Sequence, residues 1–437
     1  MKTTLNSARA HISSHPRLCL LIAFLSIQVL VLSIARTPND VVSEPECPSG
    51  RVYVYNLPPT FNKHLLLQNC TDLHPYNWQC GIATNHGYGA AATELRRVLP
   101  ENLSVIFHHR ILTHKCRTTE PESATAYYIP FYAGLAVGKY LWTNDTSKRD
   151  LSCRRMLKWV QKQKYWQKSN GSDHFMAIGR ITWDFRRLTD PGQIWGSTFL
   201  NMPDMQNVTR FIIEKAPADA RDVSVPYPTG FHPETKYNLR EWQKYARGYN
   251  RSSLFTFIGA TRGWVSNDFR GLLLSYCYNE SGHCRVVDCS VSACSTDASV
   301  IVEALLGSEF CLQPRGDSFT RRSVFDCMVA GSVPVFFWKR TAYDQYRRFL
   351  PGEPKSYSVF IDHEEVRRNG TSLIKDVLMG FSKEEIRRKR EKVIETIPRL
   401  IYAMSNGGLR DFKDAFDVAL DGVLERIKKG KEWDDFL

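Results

Sequence analysis

Apolar and polar positions fall into two long series along this chain, divided by a polar, basic stretch. In the first series RVYVYNL (51–57) alternates and stops at Pro58 and Pro59, which predicts a strand. ATAYYIPFYAG (124–134) reads as a buried strand entering a turn, and MLKWVQKQKYW (156–166) has helical spacing. HFMAIGRITWDF (174–185) is strand-like, while SVIFHHRIL (104–112) fits either element. Around 236–253 the chain turns polar and basic, with Gly248 and Asn250, and the domain boundary is placed there. The second series opens with the strand SLFTFIGA (253–260) and a helix near 268–277. Strand CRVVDC (284–289), a helix near 299–306, strand EFCLQP (309–314), helix 320–330 and strand VPVFFW (333–338) follow. Beyond Ser382 the pattern is helical, with Val393, Ile394, Ile397, Leu400 and Ile401 as apolar positions. Strands alternating with helices predict parallel sheets. The expected fold is therefore α/β, with two doubly wound Rossmann-like units, 51–247 and 248–437, facing a cleft.

The longest uncharged run, LCLLIAFLSIQVLVLSIA (18–35), would span about 27 Å as a helix, close to a thin bilayer core. Lys2, Arg9 and Arg17 precede it without an acid, and Asp40, Glu44 and Glu46 follow. This asymmetry predicts a cytosolic tail (1–17), a transmembrane signal-anchor and a lumenal remainder. Ser33-Ile34-Ala35 resembles a cleavage site, but the run exceeds a usual signal-peptide core, which favours an uncleaved anchor. Residues 36–50, with Pro38, Pro45 and Pro48, read as a stem.

Eight glycosylation sequons, at Asn69, Asn102, Asn144, Asn170, Asn207, Asn250, Asn279 and Asn369, fit a lumenal surface. Of the twelve cysteines, Cys19 lies in the anchor and eleven lie beyond it. Cys70 with Cys80, and Cys277, Cys284, Cys289 and Cys294, cluster as disulfides would. Neither cluster has the paired C-x-x-C knuckles of a zinc site. Cys311 and Cys327 sit in apolar runs and read as buried free thiols, and the odd count leaves at least one thiol unpaired. The net charge is +13, but its densest run, 387–390, is flanked by Glu384, Glu385 and Glu391. That is the pattern of a solvated helix face, and it argues against nucleic acid as a partner.

The chemistry concentrates in FCLQPRGDSFTRRSVFDCMVAGSVPVFFW (310–338). A strand stops at Pro314, Gly316 would let backbone approach a ligand, and Asp317, Ser318 or Thr320 would cap the next helix. Such a strand–turn–helix aims free N–H groups at the turn, where a diphosphate fits. Arg321 and Arg322 in the first helical turn oppose the helix dipole unless an anion sits nearby. Arg322 and Asp326 share a helix face. Asp326 is suited to ribose hydroxyls and Arg322 to a phosphate, although an intrahelical ion pair is the plainer reading.

This stretch resembles the C-terminal signature of exostosin-type glycosyltransferases. NHGYG (85–89), EPESATAYYIPFYAGLAVGKYLW (120–142), DHFMAIGRITWDFRR (173–187), VPYPTGFHP (225–233) and RGDSFTRRSVFDCM (315–328) resemble, more narrowly, its plant xyloglucan galactosyltransferase branch. The resemblance spans 51 to about 426. It implies a GT-B fold with an acceptor-side first domain, and an inverting type II enzyme of the Golgi membrane. The implied donor is a UDP-sugar, UDP-galactose first and UDP-galacturonic acid or another UDP-sugar as the rival. The implied acceptor is the xylose side chains of xyloglucan, and other xyloglucan-synthesising transferases are implied partners. A non-catalytic glycan-binding subunit is the reading from a different class. The family pattern also implies a longer segment between NHGYG and IFHHR, with an acid about three positions before Ile106; Ser104 stands near that place, which leaves Glu94 or Glu101 as the substitute, or a shortened segment.

Inverting transfer needs a base for the acceptor hydroxyl and positive groups for the departing UDP. Asp184, after GRITW, and His86, in NHGYG, are the expected bases, and His174 a structural histidine. No Asp-x-Asp occurs, so neither a metal nor another cofactor is expected, and phosphate charge falls to Arg321, Arg322 and Arg262. Gly316, Ser318, Thr320 and Asp326 complete the expected donor set. Trp183, Tyr227 and His232 are the expected acceptor contacts.

Overall fold

In the computed structural model, short strands assemble into two parallel sheets whose order repeats. The first holds β1 (Val52–Val54), β2 (Arg117–Thr118), β3 (Ala126–Tyr128), β4 (His174–Ala177), β5 (Thr209–Ile212) and β6 (Asp222–Ser224), in the order β2-β1-β3-β4-β5-β6. The second holds β7 (Ser253–Gly259), β8 (Cys284–Asp288), β9 (Ser308–Gln313), β10 (Val333–Phe336) and β11 (Val359–Phe360), in the order β11-β10-β9-β7-β8. Each sheet starts at an inner strand, places its second strand on one side and builds outward on the other, the doubly wound pattern. The described residues are 28, 47–67, 83–89, 98–143, 145–188, 195–263, 265, 267–292, 294, 298–405, 407–409 and 411–430. Residues 49–437 make one compact unit and 1–48 another. The apolar run 18–35 lies outside the described residues except Gln28, and among the described residues no helix is long and apolar enough to cross a membrane.

Helices α1 (Asn102–Thr113), α2 (Ala133–Gly138), α3 (Thr146–Val160) and α4 (Lys164–Ser169) belong to the first half. SVIFHHRIL is thus helical, and its residues Leu103, Ile106, Phe107 and Ile111 are buried. HFMAIGRITWDF is strand only at β4 and closes in a 3-10 turn at Thr182–Phe185. The polar stretch after Thr235 forms α5 (Lys236–Gly248), started by a reciprocal Thr235–Asn238 capping box and burying Leu239, Trp242 and Ala246. The second half adds α6 (Phe269–Asn279), α7 (Ala298–Leu306), α8 (Ser323–Val329), α9 (His363–Asn369), α10 (Ser372–Met379), α11 (Lys383–Thr396) and α12 (Ala415–Lys429).

The last helix returns to the first half. Phe416, Leu420 and Val423 of α12 share one core with Phe107, Phe175 and Phe211. Arg110 of α1, 2% exposed, reaches Asp414 and Asp417 (3.1 Å) at the start of α12 and donates to the Ala403 carbonyl (3.0 Å). Removing either charge of such a buried pair strands the other, so this contact fixes how α12 seats.

Two expectations change. Cys311 and Cys327 are bonded to each other, tying β9 to α8, beside the bridges Cys277–Cys284 and Cys289–Cys294. Among the described residues Cys153, on the buried face of α3, is the free thiol. Closing a loop of 16 residues is worth about 3 kcal/mol of unfolded-state entropy. The double replacement Cys311→Ala with Cys327→Ala is expected to lower the thermal midpoint by several degrees in differential scanning fluorimetry. Asn102 is 1% exposed and donates to the Gly87 carbonyl (2.8 Å), so its sequon is closed to a glycan once the chain is folded. Asn170, Asn250, Asn279 and Asn369 are exposed and Asn207 half-buried, while Asn69 and Asn144 lie outside the described residues.

Candidate active site at the second switch point

In the second sheet β8 lies to one side of β7 and β9 to the other, so the loops leaving β7 and β9 diverge at a switch point. Crevices at such points are where doubly wound sheets bind ligands. The loop after β7 carries Arg262 and leads to α6, where Asp268 caps the helix through the Arg270 N–H (3.0 Å) and also accepts the Arg262 N–H (2.6 Å). The loop after β9 carries Gly316 to Arg322.

These two loops bring three guanidinium groups together. Burial, with repulsion from Arg270 and Arg262, pushes Arg321 down to about 9. Burial followed by repulsion from Arg270 also lowers Arg262, and burial lowers Arg270. A guanidinium keeps its proton at neutral pH all the same, so the charges stay and the repulsion is borne by the fold. Asp268 offsets part of it, and Asp317, 85% exposed, pairs with Arg262. Arg321 donates to the Ile258 carbonyl at 2.9 Å. Arg262 Nε, Arg270 Nε and a terminal nitrogen of Arg321 are buried without a hydrogen-bond partner among the described residues. Buried donors left open in this way call for an anion. Gly259 is the floor between them: a Cβ there would lie 3.4 Å from Arg270 and 3.5 Å from Arg321.

A cavity of about 380 Å³ adjoins this cluster, lined among others by Gly259, Arg270, Arg321, Arg322 and Asp326. Its apolar wall includes Ile258, Ile301, Val302 and the stacked pair Phe231–Trp242 (4.7 Å), with Cys289 and Cys294 at one edge. Burial raises the Asp326 carboxyl, with Arg322 opposing. The apolar slot, one carboxylate and adjoining guanidiniums match the three parts of a nucleoside diphosphate.

Arg322 differs from its neighbour. It occupies the N-cap of a seven-residue helix, donates to the Val98 carbonyl (2.7 Å) in the first half and pairs with Asp326 (3.2 Å). It is a latch across the cleft. No side chain caps α8. The expected caps Ser318 and Thr320 instead turn to Glu214, just past β5. Glu214 accepts from Ser318 Oγ, Thr320 N–H (2.8 Å) and Thr320 Oγ1 (2.6 Å). Gly316 is needed because a side chain there would collide with the Thr320 carbonyl, so the close approach is the loop's own. Burial raises Glu214, with Thr320 opposing. Glu214→Ala strands the buried Thr320 N–H and is expected to cost about 3 kcal/mol. Ser318→Ala should cost about 1 kcal/mol, and thermal unfolding with donor-dependent turnover tests both.

The expected bases fall elsewhere. Asp184 is buried, with Arg180 Nε on one oxygen (2.6 Å) and Trp195 Nε1 on the other (2.9 Å). It is the ion pair, with no oxygen left open. His86 is exposed, in left-handed backbone (φ 57°), and stacks on His109 at 3.8 Å. Glu101 is the acid that local pattern undersold. It is 6% exposed, pairs with Arg180 through one oxygen, and its other oxygen has no partner among the described residues. Val98 and Leu99, three and two residues before it, belong to the cavity wall. Of the expected acceptor contacts, Trp183 is 61% exposed. Tyr227 is core, its hydroxyl on Thr320 Oγ1 (2.9 Å), and His232 is buried against the Tyr402 carbonyl (2.7 Å). His174 is fully buried with Nε2 on the Tyr55 hydroxyl (2.8 Å).

A model of the exostosin GT47 domain matches residues 46–375. The chain is 54% identical over 400 residues to xyloglucan galactosyltransferase XLT2 of Arabidopsis thaliana, covering 89% of this chain and 77% of that one. It is 38% identical over 400 residues to xyloglucan galactosyltransferase MUR3 of the same plant, covering 89% and 64%. With the plant's xyloglucan-specific galacturonosyltransferase 1 it shares 36% over 411 residues, covering 93% and 61%. Two parallel sheets, a basic switch-point cleft and a family match over most of the chain converge: this chain belongs to the exostosin GT47 family of glycosyltransferases.

Proposed function

We propose that this chain transfers galactose from UDP-galactose to xylose side chains of xyloglucan, as a membrane-anchored enzyme of the Golgi lumen. The observation that carries this reading is the cluster of Arg262, Arg270 and Arg321 beside a nucleoside-sized slot, in a chain 54% identical to a xyloglucan galactosyltransferase. Two like-ordered sheets with facing carboxyl edges support a GT-B arrangement. Uridine enters the apolar slot with its ribose on Asp326, and the diphosphate lies over Gly259 against Arg321 and Arg270. An acceptor hydroxyl attacks the anomeric carbon as the bond to the β-phosphate oxygen breaks. Glu101 takes the hydroxyl proton, and the guanidiniums hold the charge gained by UDP. Inversion follows from attack on the face opposite the leaving group.

The galacturonosyl relative keeps UDP-galacturonic acid as the rival donor. The test offers the full-length protein a xylosylated glucan oligosaccharide with each UDP-sugar and measures UDP release and the product's new sugar. Galactose transfer that persists in EDTA is expected, since the diphosphate charge is met by arginine. Consumption of UDP-galacturonic acid alone favours the rival, and no transfer from any donor favours a glycan-binding subunit.

A further inference from the structure

We propose that a second cavity, on the far side of the arginine cluster, holds the hexose of the donor, and that Trp338 and His363 recognise it. This rests on the nucleotide reading above. A nucleotide sugar is a linear series of nucleoside, two phosphates and hexose. With the ribose at Asp326 and the phosphates at Arg321 and Arg270, the third part must continue past Arg270. Arg270 lines both cavities. Beyond it lies a space of about 350 Å³, walled by Arg262, Arg315, Gly316, Trp338, His363 and Glu364. These residues come from the loops after β7, β9 and β10 and from the first turn of α9, which follows β11, so the carboxyl edge of the second sheet shapes the whole pocket.

The lining suits a sugar better than a second base. Trp338 and His363 stack at 4.1 Å with 30° between their planes, each covering one face of the other, and the stacked pair lines the cavity with the aromatic surfaces it leaves free. Such surfaces pack against the C–H faces of a hexose. The edge is polar: Glu364 lies 3.0 Å from His363 Nε2, and the Arg315 guanidinium sits 5.9 Å from the centre of the Trp338 ring. Charged groups around a small aromatic floor match a ring of hydroxyls. At the mouth, Arg262 is only 8% exposed, yet its Nε, like that of Arg270, has no partner among the described residues. Phosphate oxygens entering with the hexose would meet both. The two cavities then divide the donor, nucleotide on one side of Arg270 and sugar on the other.

The experiment measures equilibrium binding of UDP and of UDP-galactose to full-length parent, Trp338→Ala and His363→Ala proteins. The affinity for UDP should stay within about twofold in both variants, while the affinity for UDP-galactose falls about tenfold. Trp338 also packs against Phe269 at 5.1 Å, so its loss can loosen the fold. His363→Ala, further from the core, carries the comparison if that variant melts. Equal loss for both ligands would place nucleotide in this cavity and overturn the assignment, and no loss for either would leave the cavity idle and overturn it too. A parent protein that binds no UDP would defeat the nucleotide reading itself, an outcome visible before any variant is made.

Discussion

Replacing Arg321 by methionine is expected to weaken UDP binding by about two orders of magnitude while the protein melts no lower than its parent. Ordinarily a buried residue lost from a core lowers stability. Here the free protein holds Arg321 at a disadvantage, buried and repelled by Arg270 and Arg262, so a neutral side chain of similar length removes that cost. The bond to the Ile258 carbonyl and the guanidinium's place 5.9 Å from the centre of the Phe257 ring are forfeited. The bound state loses far more, because truncating one partner of a desolvated charge pair typically costs about 2–5 kcal/mol. Calorimetric titration with UDP beside a melting curve separates the two effects. A parallel fall in both would mark Arg321 as structural. Saturating UDP should raise the parent's midpoint, as any ligand of the native state alone does, and raise that of the methionine variant little.

The second large effect is on turnover. Glu101→Gln is expected to lower kcat about a thousandfold with donor affinity unchanged within about twofold, the range general-base removal spans. Glutamine keeps the shape and an oxygen for Arg180 but cannot take a proton. Asp184→Asn serves as the contrast, since both Asp184 oxygens are already engaged by Arg180 and Trp195. It should lose thermal stability first, with a smaller loss of kcat. If the two variants exchanged these outcomes, Asp184 would be the base.

How much of this was legible beforehand depended on whether the decisive contacts were local. The apolar strands around SLFTFIGA and EFCLQP announced the second sheet because both faces of each are covered, which makes their composition uniform. β5 was missed because it carries Arg210, fully buried and neutralised by Asp219 and Asp222 (2.8 Å) from the following turn and strand. An arginine in a four-residue strand hides its pattern. The stretch after Thr235 read as a polar domain boundary because α5 turns only Leu239, Trp242 and Ala246 inward.

The site followed the same rule. Basic residues at a helix start pointed to Arg321 and Arg322, yet only the first joins the cluster. Arg322 is taken by a carbonyl 224 positions earlier, a contact no local spacing encodes. Arg270 obeyed the same signal, two residues after a capping Asp268, and was passed over for want of a flanking motif. Glu214 gave no signal at all, being a lone acid whose partners lie more than a hundred residues away. The bond between Cys311 and Cys327 was hidden in apolar sequence because a strand and the helix packed on it bring them together.

A structure of the protein with UDP bound tests the central claim most directly. The phosphate oxygens should lie within hydrogen-bonding distance of Arg321 and Arg270, above Gly259, with the ribose hydroxyls on Asp326. UDP seated against the first sheet, or held with those guanidiniums untouched, would contradict the account.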